Sequence, residues 1–168
     1  WGCGNNIPTS VNTKSNITTN SSNENISKNY TKQSFKVLAR YRIIKNRFAS
    51  NNQNEDDSII NNQIPKEIKD LNDTDIEISG YAFPIALEEG KCSALVLMSV
   101  LPNCCFGDNL KINQYIYIDA LKDLKEIKSQ QFLKVKGKLK VGMAEVSTWG
   151  DKFLYSLVAD KIEFDQEN

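Results

Sequence analysis

The pattern of apolar and polar positions splits the chain into a polar leader and an apolar-patterned remainder. From Asn5 to about Gln33 the residues are mainly Asn, Ser and Thr, with scarcely an apolar side chain. Such a stretch buries too little surface to offset its ordering entropy, so residues 1–33 are predicted to be a disordered tether. From Asp75 onward the period is that of strands. Ile76, Ile78, Tyr81, Phe83 and Ile85 alternate, with a phase slip at Ser79-Gly80 that predicts a β-bulge at the glycine. Ser93–Leu101 is almost wholly apolar, as in a strand buried on both faces, and Pro102 ends it. Asn113–Ile118 is a short strand. Asp119–Lys128 places Leu121, Leu124 and Ile127 at helical spacing, with Asp119 as N-cap. In Phe132–Val141, Lys134, Lys136, Lys138 and Lys140 alternate with Leu133, Val135, Gly137 and Leu139; Phe153–Phe164 follows a turn at Trp149-Gly150-Asp151.

The region between is amphipathic. Phe35, Leu38, Tyr41, Ile44 and Phe48 recur at helical steps, and Lys32, Lys36, Arg40, Arg42, Lys45 and Arg47 make the element basic. It either covers the folded part or rests on anionic lipid. Ala49–Gln63 reads as a loop, and Ile64–Ile68 as one helical turn with Pro65 in its first position. The predicted organisation is a tether (1–33), an amphipathic segment and loop (34–74) and a β-domain (75–168). Strand, strand, strand, helix, strand, strand is the order of the OB-fold. The expected fold is therefore mainly β, a small antiparallel OB-like barrel of five strands with one helix between the third and fourth. An open β-sandwich is the rival.

Composition narrows the function. Lys+Arg and Asp+Glu both total 21, and residues 75–168 hold 11 basic against 14 acidic side chains. A neutral chain with a mildly acidic domain argues against nucleic acid as partner, since phosphate binding needs a basic excess. There is no histidine, which removes imidazole metal sites and Ser-His or Cys-His nucleophile pairs. Glu88 and Glu89 sit in a turn, so no enzyme is expected and no catalytic residue is assigned. No apolar run reaches the ~18 residues that span a bilayer.

The four cysteines carry the candidate chemistry. Trp1-Gly2-Cys3-Gly4 puts a small residue directly before a cysteine, resembling the end of a lipoprotein signal peptide, so Cys3 is the predicted lipidation site ahead of the tether. Lipidation would anchor the protein in the cell envelope, facing the periplasm or the exterior. Cys104 and Cys105 are adjacent in a loop with Phe106, Gly107 and Asp108, the candidate ligand or metal loop, and Tyr81 and Pro84 are the nearby surface. Three readings of the pair stay open: small apolar filler, a strained vicinal disulfide, or ligands for a soft cation such as Cu(I). Cys92 is excluded from that site, because about nine strand residues at ~3.3 Å each put it roughly 30 Å from Cys104. No other cofactor is expected.

The segments Ile78-Ser79-Gly80-Tyr81-Ala82-Phe83-Pro84, Leu95-Val96-Leu97-Met98, Cys104-Cys105-Phe106-Gly107, Lys136-Gly137-Lys138-Leu139 and Leu154-Tyr155-Ser156-Leu157 occur in that order. Together they resemble the bacterial domain-of-unknown-function family 3299 over about residues 64–164. The resemblance implies an exported protein or lipoprotein, with a transporter component as a possible partner. Many members carry Cys-x-His in the loop; this chain resembles the branch with CCFG and no histidine, so a zinc site is not carried over. The leading expectation is a non-enzymatic envelope lipoprotein whose barrel binds a small ligand, metal or protein. The alternatives are an envelope thiol or metal handler using Cys104 and Cys105, and an oligonucleotide- or oligosaccharide-binding OB module with Tyr115 and Tyr117 exposed.

Overall fold

The computed structural model describes residues 28–44, 53–88, 91–101, 110–119, 127–146 and 150–164. Each alternating or continuous apolar run becomes a strand: β2 (Asp75–Glu88), β3 (Lys91–Met98), β4 (Tyr115–Asp119), β5 (Gln131–Glu145) and β6 (Lys152–Phe164). The long strand β2 serves two neighbours, pairing with β5 over Asp75–Ala82 and with β3 over Tyr81–Glu88. The ring β2–β3–β4–β6–β5–β2 thereby closes into a five-stranded barrel. This is the strand order of the OB-fold. The barrel is mixed, because β4 and β6 run parallel. A closed ring with an odd number of strands cannot alternate direction at every joint, so at least one parallel pair is unavoidable.

Inside, Ile76 and Ile78 of β2 meet Leu95, Leu97, Ile116, Ile118, Leu133, Val135, Leu139, Tyr155 and Leu157, all of them at most 1% exposed. Ile76, Ile78, Gly80 and Ala82 are buried in unbroken alternation, so the phase slip and bulge expected at Ser79-Gly80 are absent. Tyr81 and Phe83 lie in the opposite phase, only partly buried. Gly80 is needed for a different reason. A Cβ there would stand 2.6 Å from the Met98 carbonyl oxygen, so glycine permits a close strand crossing. The irregularities of β2 fall later, around Ala86. Between β5 and β6 a register shift does sit beside a glycine, at Lys136/Gly137.

The amphipathic region differs most from expectation. Of the helix read over 34–48, only α1 (Phe35–Leu38) forms among the described residues. Tertiary bonds hold the chain beyond it out of a helix: the Tyr41 carbonyl accepts from Asn113 Nδ2, and the Ile44 main chain is bonded in both directions by the Gln63 side chain. Within the presumed loop 49–63 lies α2 (Gln53–Asn62). Its support is tertiary: Ile60 is buried, Asp57 pairs with Lys152, and Asn61 Oδ1 accepts the Met143 N–H. The single turn α3 (Lys66–Lys69) is present, with Pro65 as its N-cap rather than its first residue. Part of the predicted tether is also structured. β1 (Thr31–Lys32) pairs parallel with β2, and Lys28 and Tyr30 both bond Asp160. This edge of β2 has no β3 neighbour, so its main-chain groups take the leader as a partner. Asp119 ends β4 rather than capping a helix, and residues 120–126 of the predicted helix lie outside the described residues.

Candidate functional site

A groove of about 580 Å³ lies where the leader crosses β2. Strand β1 follows β2 only until Gln33, whose N–H donates to the Glu77 carbonyl at 2.8 Å; Ser34 then turns the chain into α1. Strand β3 does not meet β2 until Tyr81 pairs with Met98. Between these two partners Ser79 is left on an open stretch of edge. Glu77 turns its main chain toward β1, and by the two-residue period of a strand Ser79 turns its own toward the groove. Neither β1 nor β3 pairs with it there.

The lining is of three kinds. Lys32, Lys36 and Lys134 bring ammonium groups, and Ser34, Ser79 and Ser99 bring hydroxyls. Phe35, 8% exposed, and Phe132, 38% exposed, bring apolar surface. Among the described residues Glu77 is the one acidic member of the lining, and it is already engaged by Lys136 at 3.3 Å. Among the described residues Ser99 Oγ is buried without a hydrogen-bond partner, although the Ser99 N–H is bonded to the Gln114 carbonyl. A buried hydroxyl left unpaired is costly enough to require an account.

The lysines of the groove contrast with their neighbours. Along β5, Lys136 meets Glu77 and Glu163, Lys138 meets Asp75 and Lys140 meets Asp73. Lys134 in the same row has no ion pair with a described residue, and neither do Lys32 and Lys36. The matched ladder shifts its own groups. Lys161 and Lys136 hydrogen-bond Glu163 and pull its carboxyl from 4.5 to about 2. The Lys136 ammonium is held above its ordinary range, chiefly by its hydrogen bond to Glu163.

Of the residues singled out in the sequence, Tyr81 adjoins this groove. Its ring meets Phe132 edge-on, with centroids 5.1 Å apart. Pro84 is further along β2, opposite Leu95 and partly buried. Cys3, Cys104, Cys105, Phe106, Gly107 and Asp108 lie outside the described residues. The chain leaves for that loop at Leu101, two residues beyond Ser99. Cys92 sits at the other end of β3, buried, its Sγ 3.3 Å from the Ala94 carbonyl; burial pushes its thiol pKa up. Among the described residues no three His, Cys, Asp or Glu side chains converge on a metal position. On the wall formed by β3 and β4, Ala94, Val96 and Tyr117 are buried, and Tyr115 and Tyr117 both pack on Phe153.

Lys32, Ser79, Ser99, Phe132 and Lys134 are not distinguished in the sequence. The groove unites positions about a hundred residues apart, and the sole local signal is the lysine row, in which nothing marks Lys134 as the unmatched member.

These features define a closed five-stranded β-barrel of OB-like order with an external groove. The chain belongs to the family described as "Protein of unknown function (DUF3299)", whose profile it matches over residues 7–164. Its fold is similar to the crystal structure of a DUF3299 family protein from Pseudomonas aeruginosa PAO1. The TM-score is 0.58 at 19% identity, covering 84% of this chain and 99% of that one. A search among curated proteins finds no match.

Proposed function

We propose that the protein is a cell-envelope lipoprotein, anchored through Cys3, whose non-enzymatic barrel binds a small ligand or a partner such as a transporter component on its outer wall. The observation that carries this reading is the filled interior. Apolar side chains occupy the inside of the barrel, so binding falls to the outside, where the groove beside β1 offers polar and apolar groups together. Catalysis has little to work with, since the groove's three serines have no imidazole anywhere in the chain to take a proton. The burial of Ala94, Val96 and Tyr117 disfavours the β3–β4 wall as an oligonucleotide or oligosaccharide platform. Anchoring is supported by Gly2-Cys3 ahead of a long polar leader that reaches the barrel at Lys28.

Metabolic labelling with alkyne-palmitate, applied to the complete reading frame in its bacterial host, tests the anchor. Wild type is expected to take label and Cys3→Ala to lose it. An unlabelled wild type would overturn the lipoprotein reading.

A further inference from the structure

We infer that the groove between β1, α1 and β2 is a binding site for a small amphipathic acid, a carboxylate or phosphate joined to an apolar body. The inference rests on the reading of the barrel as an outer-wall binding module and names its ligand class.

Charge comes first. Three ammonium groups, those of Lys32, Lys36 and Lys134, surround one depression on a protein whose net charge is zero. Bulk composition therefore does not explain the local excess. The rest of the β5 row shows that this surface supplies a carboxylate to a lysine as a rule. At the groove Lys134 breaks the row, and Lys32 and Lys36 stand beside it without an ion pair to a described residue. The one carboxylate that the described residues bring to it, Glu77, is turned to Lys136.

Hydrogen-bonding capacity comes second. Ser99 Oγ, without a partner among the described residues, lines the groove with these cations, as does Ser79, on the stretch of β2 that neither β1 nor β3 pairs. Ser79 and Lys134 are direct cross-strand partners, which fixes a donor hydroxyl next to an ammonium. An oxyanion has several lone pairs to share among such donors, whereas a neutral alcohol has two.

The apolar part has its own surface. Phe132 is substantially exposed and braced edge-on by Tyr81, and Phe35 is held in the core where its ring approaches Gly80. A short acyl or aryl body laid on these rings would put its acid among the lysines. The volume, about 580 Å³, lies within the usual range for small-molecule sites.

Octanoate is a suitable probe, followed by amide NMR of the folded protein, with octanol as the neutral control. Octanoate is expected to shift the amides of Gln33, Ser79 and Lys134 saturably, with octanol binding much more weakly. The double variant Lys36→Gln/Lys134→Gln removes two partly solvated charge contacts and is expected to weaken octanoate about tenfold. Its thermal melt should match wild type, since neither lysine pairs with a described residue. Phosphatidylglycerol vesicles separate two sources of the acid: binding of octanoate alone assigns a free acid, and binding of both assigns a lipid headgroup. Equal shifts from octanol, indifference to the double variant, or adsorption to vesicles without octanoate binding would each overturn the inference. Palmitate labelling of Cys3 is independent of all these outcomes, so the ligand class can fail while the anchored-module reading stands.

Discussion

Gly137 sits where β5 and β6 shift register, and a Cβ there would stand 2.1 Å from the Val158 carbonyl oxygen. The obstacle is main chain, which cannot swing aside as a side chain can. Gly137→Ala is therefore expected to destabilise the barrel by about 3 kcal/mol, read from urea unfolding. A change under ~0.5 kcal/mol, as at an ordinary surface site, would contradict the strand crossing described here. Tyr155 is a second point of constraint. Its hydroxyl, buried inside the barrel, donates to the Leu38 carbonyl at 2.9 Å and lies 2.8 Å from the Tyr41 hydroxyl. Burial and the Tyr41 hydroxyl together push its ionisation far above the ordinary tyrosine range. Tyr155→Phe leaves a buried carbonyl unsatisfied and should cost roughly 1–3 kcal/mol. Tyr41→Phe should cost less, since Leu38 keeps its donor. The reverse order in denaturation would show that the tyrosine pair, rather than the carbonyl, matters.

At the scale of elements, α1 owes its place to packing rather than to helical propensity, for a single turn is unstable alone. Leu38 is fully buried in the barrel's core, so Leu38→Ala is expected to cost about 2–5 kcal/mol in the same assay. The charge ladder on β5 and β6 makes a separate prediction about pH. Glu163 falls from 4.5 to about 2 in the folded protein, so its stabilisation is present above pH 4.5 and is lost as pH drops toward 2. The urea midpoint should decline through that window, and Glu163→Gln should flatten part of the decline. An unchanged profile in the variant would contradict the Lys161–Glu163–Lys136 contacts.

Elements of this kind also show what was legible in the sequence. Strands were, because Leu133, Val135 and Leu139 alternate with lysines and Ser93–Leu101 is almost wholly apolar. Helix α2 was not, since its stability comes from Ile60, Asp57 and Asn61 reaching distant strands. Apparent helical spacing over 34–48 misled for the converse reason, as Tyr41 and Ile44 are held by Asn113 and Gln63. Tyr81 is singled out in the sequence only as surface near the Cys104–Gly107 loop; the groove it adjoins was not legible, because nothing local joins Lys32 to Lys134.

For the whole molecule, a filled barrel leaves the proposed recognition to its outer wall, and the leader links that wall to the proposed anchor. Thr31, where the leader joins β2, lies twenty-eight steps along the chain from Cys3, a contour of at most about 100 Å. The same chain that would reach back to the membrane thus builds one side of the groove, through Lys32, Gln33 and Ser34. A crystal structure of the protein with 8-bromooctanoate, located by the anomalous scattering of bromine, measures this arrangement most directly. Density for the acid among Lys32, Lys36 and Lys134, with bromine on the side of Phe132, is the result expected. Bromine inside the barrel, displacing Leu97 or Ile116, or on the β3–β4 wall, would contradict it.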